Sequence, residues 1–260
     1  MVKALKDYEY FSTDNGTLYQ GDCLEILPLL EDESVDLVLT DPPYGTTACK
    51  WDSVIPLDEM WANLKRVIAY AEVVVMTASQ PFTTTLISSN PEMFKYCWVW
   101  DKKLSTGFLD SNRKPLKRHE DICVFYKSLP TYNPQKEKRF KKRWKGGDKS
   151  WAAGETVYNK VTQTKSFNNS FFPTSILEFS NAKRSGKVHP TQKPVALMKY
   201  LIKTYTNKND VVLDFAIGSG TTAVACEELG RKWIGIELSK DYCEIAKKRL
   251  SAWKGQIRFF

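Results

Sequence analysis

Short apolar runs of period two alternate with amphipathic stretches over most of the chain, and this pattern predicts a series of strands and helices. Residues 17–20 read as a strand and 23–30 as a short helix. Residues 36–40 form a buried strand, 58–70 a helix, and 72–77, with three consecutive valines, a second buried strand. A helix over 81–88 follows, then strands at 96–100 and 121–126 that would pair as an antiparallel ribbon. After a polar stretch the alternation resumes. It places a helix at 194–205, a strand at 211–215, a helix at 220–229, a strand at 233–237 and a final helix at 240–250. Strands separated by helices argue for an α/β fold with a mixed, mainly parallel sheet covered on both faces. Neither block is long enough to make a covered sheet alone, so both are expected to build one.

The interruption, 128–187, is polar, rich in Lys, Asn, Ser and Thr, and lacks sustained periodicity. It reads as an insertion that divides the chain into 1–127, 128–187 and 188–260. A length of 260 residues suits one large domain, or one domain plus such an insertion.

Charge sharpens that division. The formal balance of +8 averages unlike parts: 6 basic and 16 acidic side chains in 1–101, 20 and 7 in 102–187, 12 and 7 in 188–260. The middle block centres on 136–145, where aromatics are interleaved with Lys138, Arg139, Lys141, Lys142, Arg143 and Lys145. Such a stretch can neutralise phosphates and stack on bases; the alternative is a solvated basic loop. So many cations favour a polyanion over a single-carboxylate metabolite.

No apolar run reaches the ~18–20 residues of a membrane span, and the charged N-terminus does not read as a signal peptide. A soluble cytoplasmic chain is expected. The six cysteines are scattered without a C-x-x-C pair, and there are two histidines. Reduced buried thiols and no metal site are the expectation.

Two segments carry candidate chemistry. In the second block, strand 211–215 runs into Gly218-Ser219-Gly220 and then a helix, and Glu237 ends the next strand. Glycines there allow close backbone approach to a ligand, and an acidic strand end can accept hydrogen bonds from ribose. No Lys follows Gly220, so the turn is not a P-loop, and a nucleoside cofactor without a pyrophosphate cradle fits better than ATP. In the first block, Asp41-Pro42-Pro43-Tyr44 follows strand 36–40. Its prolines make a stiff extended turn. A carboxylate and a nearby carbonyl there can bind both protons of an amino group conjugated to a ring. Tyr44 offers a flat face for a planar base. Taken alone, the tetrapeptide is equally a proline-rich turn with a local Asp cap.

Together, Asp41-Pro42-Pro43-Tyr44 and Gly218-Ser219-Gly220 resemble the amino-methyltransferases that modify exocyclic nitrogens of DNA bases with S-adenosylmethionine. Their order is similar to that of the circularly permuted beta group. The resemblance covers 17–127 and 188–250, and the basic middle falls where the family has its target-recognition region. It implies a Rossmann-like methyltransferase fold. Asp41 and the main chain of Pro42 would bind the target amino group, with Pro43 completing the turn and Tyr44 stacking on the base. Asp22 and Cys23 resemble the family's G-D-C segment at the cofactor adenine. Gly218, Ser219, Gly220 and Thr221 would pass its methionine part and Glu237 would hold the ribose. His189, Thr191 and Lys193 belong to a block resembling the one before the helix at the cofactor's methionine end. A packing role suits His189 better than that of a base.

One departure concerns Asp214-Phe215-Ala216, where the family commonly has Asp-Pro-Phe: the aromatic falls one place early, leaving open whether Phe215 lines the cofactor. The implied partner is double-stranded DNA with a flipped base, and the resemblance allows a second copy of the chain and a cognate restriction endonuclease as protein partners. Aspartate heading the tetrapeptide tilts the target toward adenine N6 over cytosine N4. RNA or a glutamine amide is weakened by the order of the blocks and the basic insertion. A methylase-like DNA-binding protein without turnover is the alternative of a different class. Trp100, Asp101, Lys102, His119 and Glu120 either border the target pocket or pack at strand ends.

Overall fold

The computed structural model describes residues 3–46, 52–138, 170–181 and 192–257, without the side chains of Tyr70 and 254–257. In chain order the elements are β1 (Glu9–Ser12), β2 (Gly16–Gln20), α1 (Cys23–Ile26), β3 (Val35–Thr40), α2 (Leu57–Val67), β4 (Ile68–Ala78), α3 (Phe82–Ser89), β5 (Phe94–Thr106) and β6 (Lys117–Tyr126). Then come β7 (Glu137–Lys138), β8 (Ser170–Phe171), β9 (Ile176–Glu178), α4 (Val195–Tyr205), β10 (Val211–Asp214), α5 (Thr221–Leu229), β11 (Lys232–Glu237) and α6 (Lys240–Ile257).

Nine strands form one sheet in the order β1-β2-β11-β10-β3-β4-β6-β5-β9. The run β2-β11-β10-β3-β4 is parallel throughout. The two ends of the chain meet at the sheet centre, where Val212 of β10 lies beside Leu37 of β3. β5 and β6 form the expected antiparallel ribbon. Period-two side chains divide the core. Leu37, Leu39, Val73 and Val75 join Leu197, Leu201, Val224 and Ala246 of α4, α5 and α6 in one apolar layer. Val38, Val74 and Met76 join Trp61, Leu64 and Phe82 of α2 and α3 in the other.

Some boundaries differ from the pattern. The helix predicted over 23–30 ends at Ile26 and continues as a 3-10 turn, Leu27–Leu29, because Pro28 has no N–H for a further α turn. Residues 68–70, predicted as helix, begin β4, where β-branched Ile68 pairs beside Val35. β1 and β9, unforeseen, edge the sheet.

Residues 1–133 and 175–260 form one compact unit and 134–174 a second. Within the second, β7 and β8 pair antiparallel, and the Lys136 ammonium lies 4.5 Å from the Phe172 ring centroid. The described cysteines are free thiols, and Cys23, Cys123, Cys226 and Cys243 are buried. Among the described residues no helix is long and apolar enough to cross a membrane.

Candidate active site

Parallel strands end at one edge of the sheet, and the loops leaving β2, β3, β10 and β11 surround a cavity of about 630 Å³. Asp41-Pro42-Pro43-Tyr44 lies on one side of it and Gly218 and Ser219 on another. Asp22, Cys23, Lys193, Asp214, Phe215, Thr221 and Glu237 also line it. Gly220 stands just behind this wall, and Phe215 is almost fully buried in the core while contributing to it. His189 and Thr191 lie outside the described residues.

The glycine turn is built tightly. Gly218 and Gly220 have φ of +53° and +78°, the left-handed region that glycine enters without strain. A Cβ on Gly220 would stand 2.9 Å from Ala246 Cβ of α6, whereas one on Gly218 meets nothing within 4 Å. The Gly218 N–H donates to Glu237 Oε2 at 2.8 Å, and the Ser239 N–H donates to Oε1 at 2.8 Å. Burial pushes the Glu237 carboxyl above its ordinary pKa, with these amides opposing. Asp22 caps α1 by accepting the Leu24 N–H at 2.8 Å and lines the cavity where the chain leaves β2. Burial pushes the neighbouring Cys23 thiol up to about 12, so it is no ready nucleophile.

Asp214 ties the two halves together. It accepts the Thr40 hydroxyl at 2.8 Å and the Thr222 hydroxyl at 2.6 Å, linking the ends of β3 and β10 to the start of α5. Burial raises its pKa to about 7. Arg249 of α6 clamps the turn from outside, donating to the Ser219 carbonyl, to Ser219 Oγ at 2.9 Å and to Thr221 Oγ1 at 3.2 Å. In the sequence it is one cation among several on an amphipathic helix, with no local signal to mark it.

At the tetrapeptide, Tyr44 Oη donates to Asp41 Oδ1 at 2.6 Å and lies 2.9 Å from Thr77 Oγ1, and the Thr77 hydroxyl donates to that same carboxylate oxygen. Burial, reinforced by Asp41 and Glu120, holds the Tyr44 pKa well above its ordinary value, so the phenol keeps its proton. The Phe82 ring stacks on Tyr44 with centroids 5.3 Å apart. Asp52, which the motif did not mark, accepts the Gly45 and Thr46 amides at 2.8 and 2.9 Å and fixes the chain beyond the tetrapeptide.

Lys193 Nζ stands 2.8 Å from Asp41 Oδ1 and 3.1 Å from Glu120 Oε2, and Lys102 holds the other Glu120 oxygen at 3.2 Å. Trp100, Lys102 and Glu120 therefore border the cavity. Asp101 turns away and takes a two-pronged contact from Arg118, and His119 is exposed. Of the basic block, Lys138 is exposed in β7, while Arg139, Lys141, Lys142, Arg143 and Lys145 lie outside the described residues.

A carboxylate beside a phenol and a glycine turn beside an acidic strand end thus open into one space. Residues 35–248 match the family model of N6/N4 DNA methylases. The chain belongs to that family. Among curated relatives of this methylase, the type II methyltransferase M.HpaI of Haemophilus parainfluenzae is 29% identical, covering 89% of this chain and 73% of that protein. The DNA adenine methyltransferase YhdJ of Escherichia coli K12 is 27% identical, covering 92% and 84%. Among solved structures, the M1.HpyAVI–SAM complex superposes with a TM-score of 0.61 at 27% identity, covering 90% of the methylase and 99% of that chain. The methylase accordingly has the Rossmann-like methyltransferase fold, with its sheet assembled from both chain ends.

Proposed function

We propose that this methylase transfers a methyl group from S-adenosylmethionine to the exocyclic amino nitrogen of a base flipped out of double-stranded DNA, and that the base is adenine. The observation that carries the reading is the shared cavity: Asp41 and the Gly218–Glu237 contact line one space.

The residues fit the cofactor. The open space before Gly218 admits a group that a Cβ would obstruct, and the Glu237 carboxylate has acceptor capacity beyond the backbone amides it already binds. Glu237 would hold the ribose hydroxyls, Asp22 the adenine amino group, and Gly218, Ser219 and Thr221 the methionine part. When bound, the cofactor supplies an electrophilic methyl on a sulfonium.

Within a duplex the amino nitrogen is out of reach of Asp41, so the base leaves the stack. Asp41 accepts one amino proton and the Pro42 carbonyl the other. This draws the nitrogen lone pair out of conjugation with the ring and aims it, and holding two reactants so aligned supplies much of the acceleration. The nitrogen that gains a methyl sheds a proton, and Asp41 is the acceptor at hand. No covalent enzyme intermediate is needed.

Asp41 at the head of the tetrapeptide and the adenine-specific name of YhdJ support adenine over cytosine. The type II name of M.HpaI supports a restriction–modification setting with a cognate endonuclease, in a bacterial cytoplasm. A homodimer is the other assembly included in this reading. Lys138, Arg139, Lys141, Lys142, Arg143 and Lys145 would contact phosphates. Isotope-labelled S-adenosylmethionine and unmethylated mixed-sequence duplex, followed by nucleoside mass spectrometry, test the proposal. Labelled N6-methyladenine is expected. N4-methylcytosine would overturn the base assignment, and no labelled nucleoside would return the chain to a binding-only role.

A further inference from the structure

Lys193 precedes α4 and is 8% exposed, yet its ammonium is placed at the tetrapeptide of the other half of the chain. A buried ammonium is costly unless paired, and this one lies between the Asp41 and Glu120 carboxylates. Tyr44 and Trp100 flank it, with ring centroids 5.6 and 5.8 Å from Nζ. Burial opposes its charge, but the two carboxylates outweigh burial and hold its pKa above the ordinary lysine value. Glu120 shows the converse: Lys193 and Lys102 outweigh its burial and hold its carboxyl below the usual range. Lys193 is therefore a fixed cation and not a base in waiting.

The distribution of partners on Asp41 is uneven. Tyr44, Thr77 and Lys193 all converge on Oδ1, and among the described residues none lies on Oδ2. A carboxylate with one oxygen so loaded cannot rotate freely, and its other oxygen is left to accept. We infer that Lys193 is a positioning residue for methyl transfer: clamped by Glu120, its ammonium holds Asp41 Oδ1 so that Oδ2 receives the target amino group. This rests on the reading of Asp41 as the amino-group acceptor. It gives Lys193 partners on the base side of the cavity, and Glu120 and Lys102 a purpose that strand-end packing does not require.

The test uses the full chain, unmethylated amplified duplex DNA and labelled S-adenosylmethionine. Wild type, Asp41→Ala, Lys193→Gln, Lys193→Arg, Glu120→Gln and the Lys193→Gln/Glu120→Gln double variant are compared. Turnover, KM for DNA and calorimetric cofactor affinity are measured. In Lys193→Gln, kcat should fall about 100-fold while cofactor affinity changes less than about threefold, because a misaligned acceptor damages the step and not the binding. Lys193→Arg should recover part of the rate. Glu120→Gln should lower kcat in the wild-type background and add little to Lys193→Gln, as coupled partners do. If Lys193→Gln does not fold, Glu120→Gln carries the test through the same split between kcat and cofactor affinity. The inference is overturned if both single variants keep kcat within about threefold of wild type while Asp41→Ala is inactive, or if their loss lies wholly in cofactor affinity. Full turnover by Asp41→Ala would instead overturn the underlying reading of Asp41.

Discussion

Alanine at Gly220 and alanine at Gly218 should injure the protein in different ways, although the two positions are separated by one residue. Both have left-handed φ, where an L side chain costs roughly 1–2 kcal/mol. At Gly220 the new Cβ would also press within 2.9 Å of Ala246 Cβ and 3.3 Å of Ala246 Cα, atoms that cannot rotate away. Overpacking of that kind costs roughly 1–3 kcal/mol, so Gly220→Ala should lose roughly 2–5 kcal/mol in total. At Gly218 the Cβ meets no protein atom within 4 Å, so the stability loss should stay near roughly 1–2 kcal/mol. The same Cβ intrudes on the space assigned to the cofactor, however, and should weaken its binding by about tenfold or more, the loss of about 1.4 kcal/mol. Urea unfolding measures the first quantity and calorimetric titration with S-adenosylmethionine the second. If Gly218→Ala binds the cofactor as wild type does, the turn is not its cradle. If Gly220→Ala is as stable as wild type, the packing of α6 against the turn is wrong.

Other predictions concern parts that hold this site. The native Asp214 carboxyl, raised by burial to about 7 from the ordinary 3.8, keeps a proton between those values that the unfolded chain has lost. Stability should therefore fall as pH rises through that window, and Asp214→Asn should flatten the dependence, read as a narrowed difference in Tm between pH 5.5 and pH 8 of about 2–4 °C per kcal/mol removed. Arg249→Leu leaves the Ser219 carbonyl and two hydroxyls without their donor and should cost about 1–3 kcal/mol in urea unfolding, with weaker cofactor binding. An unchanged cofactor affinity in that variant would show that the turn needs no support from α6. Charge reversal at Lys138, Lys141 and Lys142 should weaken DNA binding and flatten its salt dependence by about 0.9 in log–log slope for each phosphate no longer neutralised. An unchanged slope would make the block a solvated loop.

The central strands were legible because their chemistry is local: Leu-Val-Leu in β3 and Val-Val-Val in β4 can only be covered on both faces. The tetrapeptide and glycine turn were legible because each is a short motif at a strand end. What joins them was not. Lys193 meets Asp41, and Asp214 meets Thr40, only because β10 lies beside β3, a pairing between chain halves that leaves no periodic trace. Thr77 and Asp52 were hidden for another reason: a single Thr near a strand end, or a single Asp in a loop, has many ordinary uses, and its partner decides which one applies. The 68–70 segment was misassigned because an apolar stretch following an amphipathic helix fits either element. Its pairing with β3 settled the matter, a contact that helix periodicity does not encode.

Methyl transfer by Asp41→Ala, measured beside its affinity for S-adenosylmethionine, tests the central claim most directly. The carboxylate lies at the tetrapeptide, and the residues assigned to the cofactor form a separate wall of the same cavity. Labelled methyl incorporation into DNA should drop by about 1,000-fold or more, as for loss of a group acting chiefly in the transition state, while cofactor affinity stays within about threefold. Wild-type incorporation in that variant would contradict the account, because the amino group would then be activated elsewhere.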